Sequence, residues 1–266
     1  MAVWLGAILL LLLAAPAQAE LVGEFNARLK DIKRSYGAYT VVADARVYDT
    51  TGAPPPPLTE ATVHFPRGAA LRDAFLARRF LCDPAPLEIH PDPRLCPTSE
   101  FASGRIVLDA RPQILEPFSA DVHLFLGQGT EGALASVVTL VIPNELTPAY
   151  AFQVLEGRLY NRSKAGSRFG YRLELPTNVK PLIPGLTLRL AEIHLTIGGL
   201  QLRRHGRKPL FWTRVPECPA SRKVSFGADY AFAGGQAIAR RRRVSCRRFI
   251  RRPTVQGEGR IPGAPG

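Results

Sequence analysis

The sequence predicts a mainly β fold: an antiparallel sandwich or open barrel with one or two short helices. Three observations carry this expectation. Short apolar runs recur between Gly, Pro and Asn punctuation over most of the chain. Several runs alternate apolar and polar residues, the period of a strand with one buried face. Four cysteines fall into two local pairs, Cys82 with Cys96 and Cys218 with Cys246, behind a leader of export type.

Residues 1–19 read as a signal peptide. An apolar run from Leu5 through Ala15 includes five leucines at 9–13, and Ala17 and Ala19 supply the small pair before a cut. Pro16 breaks the helix ahead of that site. No Lys or Arg precedes the run, which departs from the usual pattern. A retained anchor needs about 20 apolar residues; this run is shorter, and no later segment is apolar enough to span a bilayer. The mature chain is expected to start near Glu20 and to work outside the cytoplasm, secreted or associated with the cell envelope. Its body, 20–246, is one β-rich domain or two packed halves, and 247–266 form a basic, disordered tail.

Leu21, Val22, Phe25, Leu29, Ile32 and Tyr36 fit one face of a short helix ending at Gly37. Tyr39, Val41, Ala43, Ala45 and Val47 alternate as a strand, and Asp49 to Gly52 make a turn. Pro54 to Pro57 form a stiff rim loop. Residues 61–65 are a second strand, and 69–81 a second helix-like stretch that runs into Cys82 and a Pro-rich loop. Further strands are expected at 105–110, 122–126, 137–142, 152–160 and 168–175. In 186–203, Leu186, Leu188 and Leu190 share one parity while Ile193, Leu195 and Ile197 share the other, which places a bulge near Ala191. Hairpins follow around 205–208, flanked by 200–204 and 210–215, and around Gly234-Gly235, flanked by 224–232 and 237–246.

The pairing expected is local, Cys82–Cys96 and Cys218–Cys246, since each pair brackets a compact, turn-rich stretch. No C-x-x-C or Cys/His ligand spacing points to zinc. Local motifs for serine hydrolases, zinc proteases, P-loops and dinucleotide folds are also missing from the sequence. Glu88, His90 and Asp92 would share one face of an extended segment and could hold a divalent cation, but Pro91 and the exposed loop argue for an ordinary solvated stretch. Glu192 and His194 make a similar same-face pair on a strand, read as a solvated face. No metal, cofactor or catalytic residue is therefore assigned.

The net charge of +13 is concentrated. Residues 1–200 are balanced, whereas 201–266 hold 16 basic residues against Glu217, Asp229 and Glu258. Arg240, Arg241, Arg242 and Arg243 are consecutive, with Arg247 and Arg248 close behind. Successive strand residues point to opposite faces, so four arginines in a row belong on an edge or beyond the core, where they also discourage edge-to-edge association. Anionic material is the partner such a run suits: an envelope polymer or lipid head groups. Only Phe249 interleaves with the arginines, so specific nucleic-acid binding is not expected.

The order Cys96-Pro97-Thr98-Ser99, Ser103-Gly104, Phe125-Leu126-Gly127, Ile183-Pro184-Gly185, Ile197-Gly198, Cys218-Pro219-Ala220-Ser221 and Ser245-Cys246 resembles a group of secreted actinobacterial β-rich proteins with two Cys-Pro elements. The resemblance spans about residues 39–246. It implies fold and localisation and no site residues, and the basic tail is not part of its pattern. The functional expectation is an exported, non-catalytic binding or structural protein with its arginine-rich end on anionic material. An exported hydrolase with dispersed catalytic residues is one alternative. A carrier of an apolar ligand, suggested by the aliphatic stretch 186–202, is the other.

Overall fold

In the computed structural model, residues 20–33, 38–67, 69–71, 73–129, 132–144, 151–161, 169–181, 184–198, 201–204, 207–211, 213–214 and 218–246 are described. The leader 1–19 and the tail 247–266 lie outside them.

The first strand corrects the first expectation. Leu21–Lys33 is not a helix but β1, in antiparallel register with β2 (Ala38–Asp49) along its whole length. Leu21, Phe25 and Leu29 are four apart, which suits a helix face. They are also all odd-numbered, as are the small residues Gly23 and Ala27 between them. Both periods fit the large residues; pairing with the alternating β2 selects the strand. The expected helix end at Gly37 lies outside the described residues.

The second expected helix, 69–81, is also replaced. β4 (Ala70–Leu71) is followed by two 3-10 turns, Asp73–Leu76 and Arg78–Phe80, broken at the extended Ala77. Phe75 is fully buried while Arg78 and Arg79 are exposed, so no continuous helical face exists to be covered. Among the described residues the α-helix is instead α1 (Pro84–Ile89), within the Pro-rich stretch read as a loop. Asp83 accepts a hydrogen bond from the Ala85 N–H and Pro84 opens the first turn, both favourable at a helix start.

The other strands follow the alternating runs. They are β3 (Leu58–Pro66), β5 (Glu100–Asp109), β6 (Phe118–Leu126), β7 (Ala135–Pro143), β8 (Gln153–Asn161), β9 (Phe169–Leu175) and β10 (Arg189–Gly198). The register of β10 against β5 shifts between Leu190 and Glu192, placing the bulge at Ala191. A small separate hairpin joins β11 (Gln201–Arg204) to β12 (Arg207–Phe211). β12 starts earlier than expected, and β13 (Thr213–Arg214) leaves it to pair with β2 and β4. β14 (Lys223–Phe232) and β15 (Ala237–Ser245) form the final hairpin, with Gly234 and Gly235 at positive φ in its turn.

The principal sheet runs β15-β14-β3-β9-β8-β7-β6-β5-β10-β2-β1, every neighbouring pair antiparallel. It curls into a nearly closed barrel. Ten antiparallel steps leave β1 and β15 pointing the same way. Side chains bridge this seam: Ile238 packs over Gly23, where an added Cβ would lie 3.0 Å from Ile238 Cγ2, and Arg240 Nε donates to the Gly23 carbonyl at 2.6 Å.

Phe65 and Phe226 meet edge to face with ring centroids 6.3 Å apart, and Phe75, Phe101 and the disulfide Cys218–Cys246 are buried in the same main core. The second disulfide, Cys82–Cys96, closes the α1 segment into a loop that covers the outside of β6–β8, where Leu87 is buried with Phe125, Val138 and Leu140. Both bridges join the expected partners, and bonds of this kind form and persist in oxidising compartments.

At Gly104 the β10 backbone comes close: an added Cβ would collide with the His194 carbonyl oxygen. Gly104→Ala is expected to destabilise the fold by about 2 kcal/mol, read from the urea midpoint. An unchanged midpoint would show that β5 and β10 lie farther apart.

Candidate functional site

Away from Phe65, Phe75, Phe101 and Phe226, none of which lines it, the barrel holds an apolar cavity of about 50 Å³, room for about four water-sized groups. Its wall alternates in from the strands: Leu58 and Ala61 of β3, Ile106 and Leu108 of β5, Val122 and Leu124 of β6, Thr139 and Val141 of β7, Leu155 of β8 and Leu190, Ile193 and Leu195 of β10. Leu175, Pro176, Thr177, Val179 and Leu188 surround the mouth. Deep positions such as Leu124 and Thr139 are buried, whereas Leu175, Val179, Leu188 and Leu190 are only half-buried, so the cavity opens to solvent there. Among the described residues no charged side chain lines it, and two threonines are its only polar side chains.

Charge near the cavity is confined to the rim. Asp109, 2% exposed, ends β5 and receives the backbone N–H of Arg111 at 2.9 Å and its guanidinium at 2.6 Å. Arg111 also donates to the Gly52 carbonyl, and Arg189 of β10 donates to the Arg111 carbonyl at 2.9 Å. This brace ties three rim segments together. Burial alone would raise the Asp109 carboxyl, but the hydrogen bonds from Arg111 outweigh it and hold the group below its ordinary value.

The arginine strand divides by parity. Arg240 bonds the seam at Gly23. Arg241 reaches Asp229 Oδ1 at 2.5 Å and stands 5.1 Å from the centre of the Phe169 ring. Arg242 borders a shallow outer groove shared with Glu24, Asp44 and Glu192. Arg243 is exposed and, among the described residues, has no ion pair. Arg247 and Arg248 lie outside the described residues.

Among the described residues, His64, which is buried, and His123 and His194 each pair with a carboxylate. His64 Nε2 lies 2.7 Å from Asp229 Oδ2, with Phe169 stacked on its ring at 4.9 Å. His123 pairs with Glu100 at 2.8 Å, and His194 with Asp44 directly across the ladder. None of the three described cavities gathers two histidines. Glu192 pairs with Arg46 at 3.2 Å. The expected extended face of Glu88, His90 and Asp92 is not formed: Glu88 belongs to α1, His90 caps it, and Asp92 caps the next 3-10 turn and is held by Arg94. Among the described residues no three His, Cys, Asp or Glu side chains are placed to hold a metal ion.

Sequence reasoning missed the cavity wall apart from its β10 part. The available signal was Thr139, the polar residue inside the run Val137-Val138-Thr139-Leu140-Val141. It also missed His64 with Asp229, which are 165 residues apart.

Fold and site define a disulfide-bonded, nearly closed antiparallel barrel with an apolar internal cavity. The chain matches no protein-family model, and no curated protein or solved structure is significantly similar to it. The class therefore rests on this geometry.

A depressed carboxyl contributes stability that is present above its unfolded value, about pH 4, and lost as pH falls through the lower folded value. The urea midpoint of the protein is expected to drop below about pH 4. Asp109→Asn should lower the midpoint at pH 7 by about 2 kcal/mol equivalent and flatten the acid limb. An acid limb unchanged by the substitution would remove the rim brace as its cause.

Proposed function

We propose that this chain is an exported, non-catalytic binding protein that carries an aliphatic chain in its barrel lumen. The observation that carries the reading is the charge-free barrel cavity, whose inward aliphatic side chains reach solvent at the mouth. Binding sites of this kind are concave and mainly apolar, with few polar groups. A cavity of about 50 Å³ takes one end of an alkyl chain, and the rest of a longer chain lies along the half-buried mouth residues Leu175, Val179, Leu188 and Leu190. The export leader and the two disulfides support an extracytoplasmic workplace.

Ala61→Leu puts three more carbons into the cavity from its wall. The wild-type mature chain is expected to show a raised Tm with 1-decanol, because a ligand that binds only the folded state stabilises it. Ala61→Leu should fold and lose that shift. A wild-type chain with no shift, or a filled variant that shifts equally, would remove the reading.

The exposed end of β15 favours a second feature, contact with anionic envelope material through Arg242 and Arg243. Retention of the mature chain on anionic vesicles is expected to fall between about 0.05 M and about 0.5 M salt and to weaken on Arg243→Ser. Retention that ignores salt would sink the electrostatic part and leave the lumen untouched.

A further inference from the structure

We propose that Thr139 selects the ligand, so that the lumen takes an aliphatic chain bearing a neutral hydrogen-bonding oxygen, an alcohol or an ester. The inference rests on the carrier reading and names the chemistry of its ligand. Thr139 faces the lumen from the middle of β7, with Leu124 and Leu155 as cross-strand neighbours. It is 3% exposed, and its Oγ1 is buried without a hydrogen-bonding partner.

The neighbouring inward positions of β7 are Val137 and Val141, both buried. A valine would fill position 139 with nearly the same shape and leave no polar atom unpaired. The hydroxyl therefore weakens the empty barrel relative to valine. A ligand oxygen removes that cost, since a threonine hydroxyl both donates and accepts. On β7 the cavity is lined by Val141 on the open side and by Thr139 deeper in. The oxygen is thus met inside the barrel.

The absence of charged side chains from the wall, among the described residues, decides between oxygens. A carboxylate carried to Thr139 would be buried without a counter-charge, which is far costlier than burying a hydroxyl or ester. Tyr230 is a second buried hydroxyl without a partner, but it does not line the cavity.

The test titrates the mature chain with 1-decanol, n-decane and decanoate at pH 8, with stoichiometry read by native mass spectrometry and affinity by the rise in Tm. Wild-type protein is expected to bind 1-decanol about tenfold more tightly than n-decane and decanoate most weakly. Thr139→Val should raise the ligand-free Tm, abolish the preference for 1-decanol and leave n-decane binding unchanged. Thr139→Ser should keep the preference. Equal binding of the alcohol and the alkane by wild type, or a preference that survives Thr139→Val, overturns the role of Thr139 while the carrier reading stands. Binding of none of the three overturns both.

Discussion

A ring of eleven strands in which every neighbour is antiparallel cannot close antiparallel. Its first and last strands must run the same way, and here β1 and β15 do. Among the described residues no β ladder joins them, so closure falls to side chains. Gly23 leaves a gap in β1 that Ile238 fills, and the Arg240 guanidinium takes the carbonyl that a strand partner would have taken. The arginine run therefore has a structural member before any partner is considered. A cation suits an edge that must neither stay bare nor recruit another chain.

Closure also explains the interior. About eight strands enclose a space that side chains alone can fill, and eleven enclose more. Away from the cavity large rings absorb the surplus: Phe65, Phe75, Phe101 and Phe226 are buried in the core and none of them lines the cavity. Elsewhere the wall offers leucine, valine, isoleucine and alanine, and a cavity remains. Polar groups are sorted accordingly. Carboxylate–histidine and carboxylate–arginine pairs line the outside, and the rim brace of Asp109, Arg111 and Arg189 holds the mouth without placing a charge in the lumen.

Most strands were legible because one-sided burial writes itself as alternation. The bulge at Ala191 was legible for the same reason, since a change of parity within one apolar stretch has few other causes. Leu21, Phe25 and Leu29 were misread because a spacing of four satisfies both helix and strand. Only the pairing with β2, a non-local fact, separates them. Asp83-Pro84 announced α1 locally, but the surrounding prolines outweighed it. The Arg111 brace on Asp109 is also local in sequence, yet its meaning depends on Asp109 being buried, which no spacing reveals. His64 with Asp229 and Arg241 was out of reach, since β3, β14 and β15 meet only once the sheet has formed.

The cavity lay between these cases. Alternation marks which residues face inward, but it does not say whether they meet across the lumen or leave room. That depends on strand number and on where the aromatic residues fall along the barrel axis. In this chain Phe65, Phe75, Phe101 and Phe226 lie away from the cavity wall, and Thr139 places an unpaired hydroxyl at the inner edge of what is left. A void that was only imperfect packing would gain nothing from that hydroxyl, because an aliphatic side chain of the same shape would fill the position at lower cost. Together, a solvent-reaching mouth, a charge-free wall and one stranded polar atom favour an occupant over a packing defect.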